Sequence, residues 1–172
     1  MGMTGVRVRS LALELVPVLA AALATAVAAQ ITIPCWPVPF TLQTVAVLAS
    51  GLLLGARRGA ASQVAYLAMG ASGVPVFAGA LGGPQILLGP TGGYLFAFVL
   101  AAALAGFGME RWKGWRLGLA ISGASLLTLT VGASWLSTYV GPSAWVSGFL
   151  LFVPAEIFKA LAAWVGTLVT KR

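Results

Sequence analysis

Six apolar runs, approximately 11–30, 41–54, 60–71, 94–107, 117–136 and 145–167, take up most of the chain, and three of the connections between them hold no charged residue. Crossing the hydrocarbon core of a bilayer takes about twenty apolar residues per helix, and fewer where a helix is buried among others. The runs are bounded by basic clusters or by Gly and Pro, not by polar surface segments. Composition closes off the soluble alternative: 60% of the 172 residues are hydrophobic and 8% are charged, whereas a water-soluble domain carries roughly a quarter charged residues. The reading is an all-α integral membrane protein, six transmembrane helices in one bundle over residues 1–172, undivided by linker, repeat or low-complexity stretch. The second to fourth runs are short, which predicts tilt, re-entry, or Gly-rich backbone dipping into the membrane under the cover of protein.

The basic residues set the orientation. Arg7 and Arg9 precede the first run, Arg57 and Arg58 follow the second, Arg111, Lys113 and Arg116 follow the fourth, and Lys171 and Arg172 follow the sixth. Every second connection is therefore basic and the others are uncharged, which places nine of the ten cations on one side and both termini in the cytoplasm. Arg7 and Arg9 ahead of an apolar run ending in Ala26, Val27 and Ala28 also have the outline of a secretory leader. The run is longer than a leader's apolar core and contains Glu14, so a retained helix is expected.

The net charge of +7 does not mark a nucleic-acid face, because the cations sit in short clusters between spans and no polar surface gathers them. Without His, and with one Cys and three acids (Glu14, Glu110, Glu156), the chain cannot build a conventional zinc site, a Ser-His-Asp triad or a paired-carboxylate centre. No catalytic residue, metal or cofactor is expected. No Gly-x-x-x-x-Gly-Lys loop is present, so active transport would require an energy-coupling partner or an ion gradient. Cys35 is read as a small apolar filler beside Trp36.

The unusual residues lie in the uncharged connections and in the sixth run. In the connection 31–40, Pro34, Pro37 and Pro39 stiffen the backbone while Trp36 and Phe40 offer aromatic surface, and Gln43 enters the next helix as a polar group. This reads as a semi-rigid rim; for Trp36 an interfacial anchor is an equal alternative. The connection 72–93 is rich in Gly and Pro yet contains Phe77, Gln85 and Thr91 and leads into Tyr94. Its Gly backbone suits close approach to a ligand, with a compact capping loop as the alternative. The sixth run holds Glu156 and Lys159, three residues apart and so on one helical face. Ionisable groups inside a span are costly and face an interior or a polar cavity, although a structural ion pair would satisfy the same rule. Pro154 removes a helical donor and predicts a kink beside the pair. A pocket of one carboxylate, one ammonium, Gln43, Gln85, Thr91, Tyr94 and aromatic walls suits a small amphipathic ligand. The first run carries a small-residue stripe, Ala20, Ala24 and Ala28, which serves either as an internal seam or as a face for a partner.

Five strings, VPFTLQT (38–44), GLLLG (51–55), GVPVFAG (73–79), LLGPTGGYL (87–95) and PAEIFKA (154–160), together resemble BioY, the biotin-specific substrate-binding (S) component of energy-coupling-factor vitamin transporters. The resemblance implies six helices with both termini inside, in a prokaryotic plasma (inner) membrane, and a biotin cavity near the outer face. It assigns ligand contact to Glu156 and Lys159 at the positions of the family's P-x-[DE]-x-x-K segment. Glu stands where Asp is usual, one methylene longer, and Ala80, Leu81 and Gln85 hold a loop region where some members carry a cation. The resemblance also assigns the alanine face of the first helix to docking on a transmembrane coupling protein served by two ATPases. A binding subunit for thiamine or riboflavin, and a noncatalytic structural or regulatory subunit, are the competing readings.

Overall fold

The computed structural model describes residues 3–169, with side chains over 13–168; Lys171 and Arg172, and the side chains of Arg7 and Arg9, lie outside them. Helix α1 runs over Met3–Gln30, α2 over Gln43–Ala71, a short α3 over Pro84–Leu87, α4 over Gly92–Arg111, α5 over Trp115–Val140 and α6 over Val153–Val169. Two strands, β1 (Thr32–Ile33) and β2 (Phe40–Thr41), pair antiparallel with Thr32 opposite Thr41 and Ile33 opposite Phe40. This small ladder amends the all-α expectation. It closes the proline-rich connection on itself and satisfies backbone groups that no helix serves. Among the described residues four helical stretches are long and apolar enough to cross a membrane: Leu13–Gln30, Gly92–Arg111, Trp115–Ser143 and Val146–Leu168.

α2 contains two of the apolar runs and is not straight. Gly55 has φ 81° and ψ 173°, a backbone state open to glycine at little steric cost. Gln63 Nε2 lies 3.0 Å from Ser50 Oγ, although thirteen residues of continuous helix would hold them about 20 Å apart. α2 is therefore a hairpin whose arms, 43–54 and 56–71, reverse at a single residue. The expected turn over 55–59 is corrected accordingly: Arg57 and Arg58 belong to the first turn of the second arm. At the start of that arm the Ala56 N–H donates to Glu110 Oε1 of α4 at 2.9 Å. A carboxylate at a helix N-terminus satisfies an orphan donor and favours the local dipole. Glu14 of α1 pairs with Arg58 at 3.4 Å on the same side of the protein.

The helices approach closely because their contacts are made of Gly and Ala. A Cβ added to Gly51 would stand 2.1 Å from the Ala102 carbonyl oxygen, and one on Gly106 would stand 2.4 Å from Ala56 N. Ala101, Ala102 and Ala105 of α4 are fully buried in the same seam. In an apolar solvent such close contact, not hydrophobic burial, is what holds helices together. A polar cluster adds to it: Gln63 Nε2 lies 3.0, 3.1 and 3.3 Å from the hydroxyls of Ser50, Ser62 and Thr25, bridging α1 and both arms of α2. The face of α1 turned inward is Ala22, Thr25, Ala26 and Ala29. Ala20 and Ala24 are exposed and Ala28 is half-buried, so that stripe is not the internal seam.

The fourth run is longer than its apolar core indicated, since α4 begins at Gly92 and extends to Arg111. The sixth run is helical over Val146–Leu168, but not of one helix type. A π-helical turn over Val146–Leu150 is followed by two hydrogen-bonded turn residues, 151–152, and α6 starts immediately before Pro154. The expected kink thus appears as a change of helix type, the wider turn ending where proline is tolerated at a helix start.

Candidate ligand cavity

Starting α6 at Val153 puts Glu156 in its first turn and Lys159 one turn on, both turned into the protein with side-chain exposures of 4% and 6%. Lys159 Nζ lies 2.6 Å from Glu156 Oε1 and donates to the Thr41 carbonyl at 2.7 Å. Its charge also stands 4.2 Å from the centre of the Phe40 ring, within the range of a cation–π contact. Phe40 and Thr41 are β2, so the ladder of the first connection is what brings these partners over α6. Thr44 Oγ1 of α2 donates to the same oxygen, Glu156 Oε1, at 3.1 Å. The other oxygen, Oε2, is buried and has no partner among the described residues. The pair is therefore lopsided: the ammonium has its needs met by protein, and the carboxylate keeps one free acceptor whose burial is costly.

This pair lines a cavity of about 260 Å³. The first connection and α2 supply Val38, Pro39, Thr41, Gln43 and Thr44 to its walls, and the Gly-rich connection supplies Phe77, Leu81, Gln85, Ile86 and Thr91. The remaining walls are Tyr94, Leu95 and Phe98 of α4, Thr128 and Leu129 of α5, and Phe152. The lining is mostly apolar with a few convergent polar groups, the usual make-up of a small-molecule site.

Seven of the eight residues expected at the site, Glu156, Lys159, Gln43, Phe77, Gln85, Thr91 and Tyr94, line this one cavity. Several are already held by protein. Gln43 Nε2 donates to Tyr66 Oη at 2.6 Å, while its Oε1 accepts from Thr41 Oγ1 at 3.0 Å. Tyr66 Oη donates in turn to the Val76 carbonyl at 3.2 Å, and its ring meets Phe77 edge-on with centres 5.5 Å apart. Phe77 fills the space over Gly70, where a Cβ would lie 2.0 Å from the ring. Gln85 is tied to the Gly82 carbonyl and Tyr94 to that of Gly148. The end of the Gly-rich connection is fastened to α5, Trp135 Nε1 donating to the Gly89 carbonyl at 2.9 Å and Tyr139 to that of Leu88.

Trp36 departs from expectation. Its side chain is 86% exposed and absent from the cavity walls, and Cys35 beside it is exposed and fills no core. With β1 and β2 pinning both ends of the connection, its proline-bound tip projects outward. Residues that sequence reading missed are Thr41 and Thr44 around the ion pair, and Phe98, Thr128 and Phe152 in the walls, while Phe40, read only as rim surface, stacks on the Lys159 ammonium. The nearest signal for Phe40 and Thr41 was their place within the proline-rich string. No local pattern distinguished Thr44 or Thr128 from other hydroxyls in apolar helices.

Among curated proteins the chain is 42% identical over 142 residues to a probable biotin transporter BioY of Pyrococcus horikoshii, covering 81% of this chain and 84% of that one. It is 40% identical over 141 residues to the biotin transporter BioY of Thermotoga maritima, covering 80% and 83%. Among solved structures it resembles the S-component for biotin from an ECF-type ABC transporter, with a TM-score of 0.82 and 27% identity over 100% of this chain and 95% of that one. Together with the apolar helices these relatives mark a multi-pass membrane protein. The model of the BioY family matches residues 3–172, and this chain belongs to that family.

Proposed function

We propose that the cavity binds biotin and that the chain is the biotin-binding membrane component of an uptake system. The observation that carries this reading is a buried Glu156–Lys159 pair in the lining of a mostly apolar cavity, with one carboxylate oxygen, Oε2, unpartnered among the described residues. A ureido ring offers N–H donors to such an acceptor, and the apolar walls suit the fused rings and alkyl tail. Lys159 orients Glu156; with Glu156, Thr41 and Phe40 around its Nζ it is poorly placed to grip a distant carboxylate as well. The ligand's own carboxylate then lies toward the exposed side of the cavity, near Gln85 and Thr91.

In this reading the two arms of α2, α1, α4, α5 and the 146–169 segment cross the membrane six times as one bundle, both termini in the cytoplasm of a prokaryotic cell's inner membrane. The basic connections and the antiparallel arms support that topology. The chain performs no chemistry of its own. The outward-facing Ala20, Ala24 and half-buried Ala28 suit a transmembrane coupling protein, with two ATPase subunits supplying the energy.

The test is calorimetric titration of the detergent-purified chain with biotin, thiamine and riboflavin. Saturable binding of biotin alone is expected; a well-folded protein that binds none of them sinks the proposal. In the same titration Trp36→Ala is expected to leave affinity within about two-fold, because its exposed ring touches neither the cavity nor the ion pair.

A further inference from the structure

Gln30, the last residue of α1, lies outside the cavity walls, yet its side-chain amide reaches the Gly-rich connection 46 to 50 residues further on. Its Oε1 accepts from the Ala80 N–H at 3.0 Å, and its Nε2 lies 3.1 Å from the Phe77 carbonyl, 3.5 Å from that of Val76 and 3.1 Å from that of Ala26 in its own helix. One amide thus brackets the tight turn between Phe77 and Ala80. The turn needs such help: Gly79 and Ala80 follow one another with φ 74° and 56°, and Ala80 carries a Cβ that disfavours this left-handed state. The two residues that flank the turn, Phe77 and Leu81, are paired by the Phe77 N–H to Leu81 carbonyl bond at 2.9 Å and both line the cavity. The ties on either side, Tyr66 on Val76 and Gly70 on Gly83, come from α2. The tie across the turn itself comes from α1, a helix whose outer face is bare at Leu19, Leu23 and Val27.

We propose that Gln30 is a positioning residue for the cavity: it fastens the Phe77–Leu81 wall to the end of α1, so that releasing this bracket is part of ligand escape and sets the dissociation rate. The inference rests on the biotin reading of the cavity. Stopped-flow tryptophan fluorescence on the full chain separates the two, because a wild-type protein that shows no biotin binding defeats the biotin reading before any variant is compared. Given wild-type binding, Gln30→Met, equal in length and without the amide, is expected to raise the dissociation rate about ten-fold with the association rate within two-fold. Gln30→Glu keeps the acceptor for Ala80 and loses the donor to Phe77, and is expected to fall between. A residue serving only to stabilise α1 would lower the melting temperature and leave the dissociation rate alone. A dissociation rate for folded Gln30→Met within two-fold of wild type overturns the proposal, and so does a failure of both variants to fold.

Discussion

Glu156→Gln is expected to weaken biotin binding by at least about 100-fold, which corresponds to roughly 2.7 kcal/mol. Two losses combine. The amide offers a weaker acceptor than a carboxylate, and Lys159 is left as a buried cation whose nearest anion is gone. Calorimetric titration measures the affinity, and a thermal melt on the same sample checks folding. The double variant Glu156→Gln/Lys159→Met separates ligand contact from structural pairing. Removing both charges relieves the stranded cation, so the melting temperature is expected to recover toward wild type while binding stays lost. Full affinity in folded Glu156→Gln would show that the pair merely locks α6 to β2 and α2. Lys159→Ala leaves the complementary problem, a buried carboxylate without its cation, and loses binding for that reason.

Gly51→Val is expected to cost about 3 kcal/mol or more and to leave little folded protein. Its first side-chain atom would fall 2.1 Å from the carbonyl oxygen of Ala102 and 2.9 Å from Gly106 N, and both are backbone. No side chain can rotate away, so α2 and α4 have to separate, which places the cost at or beyond the upper end of overpacking effects. Separation also strains the bond from Ala56 to Glu110, because that cap spans the same two helices. Gly123→Ala in α5 is the control, since nothing lies within 4 Å of an added Cβ there, and the change is expected to be neutral or to stabilise the helix by up to about 1 kcal/mol. Scanning fluorimetry of the two variants reads both outcomes, and equal melting temperatures would refute the close-packed seam.

The ion pair was legible in the sequence because ionisable residues in a span have few reasons to exist, and Glu156 and Lys159 share a helical face. The uncharged, Gly-rich connection was legible as a cavity wall because Phe77, Gln85 and Thr91 had no polar surroundings to serve. Trp36 was left between cavity rim and interfacial anchor for a physical reason: an aromatic ring in a proline-bound loop has the same composition whether it points in or out. The ladder between β1 and β2, made of two residues each, decides the matter and leaves no periodic trace. Gln30 looked like a helix boundary, and its role depends on residues more than forty positions away. The reversal at Gly55 read as a basic turn, since Arg57 and Arg58 were taken as its substance. The contact that allows a one-residue reversal is Glu110, an acid from a different helix.

That reversal has a mechanical consequence for the surrounding lipid. The two arms of α2 hold twelve and sixteen residues over 43–54 and 56–71, or about 18 and 24 Å of helix at the usual rise, against a hydrocarbon core about 30 Å thick. Leu53 near the tip and Val64 on the second arm are exposed, so in the proposed six-span topology this face meets acyl chains along a short wall. With both arms crossing as proposed, the leaflets pinch together there, at a cost of a fraction of a kcal/mol for each ångström of mismatch. Thicker bilayers raise that tension, and a rotation of the whole bundle that lays the short wall askew would relieve it.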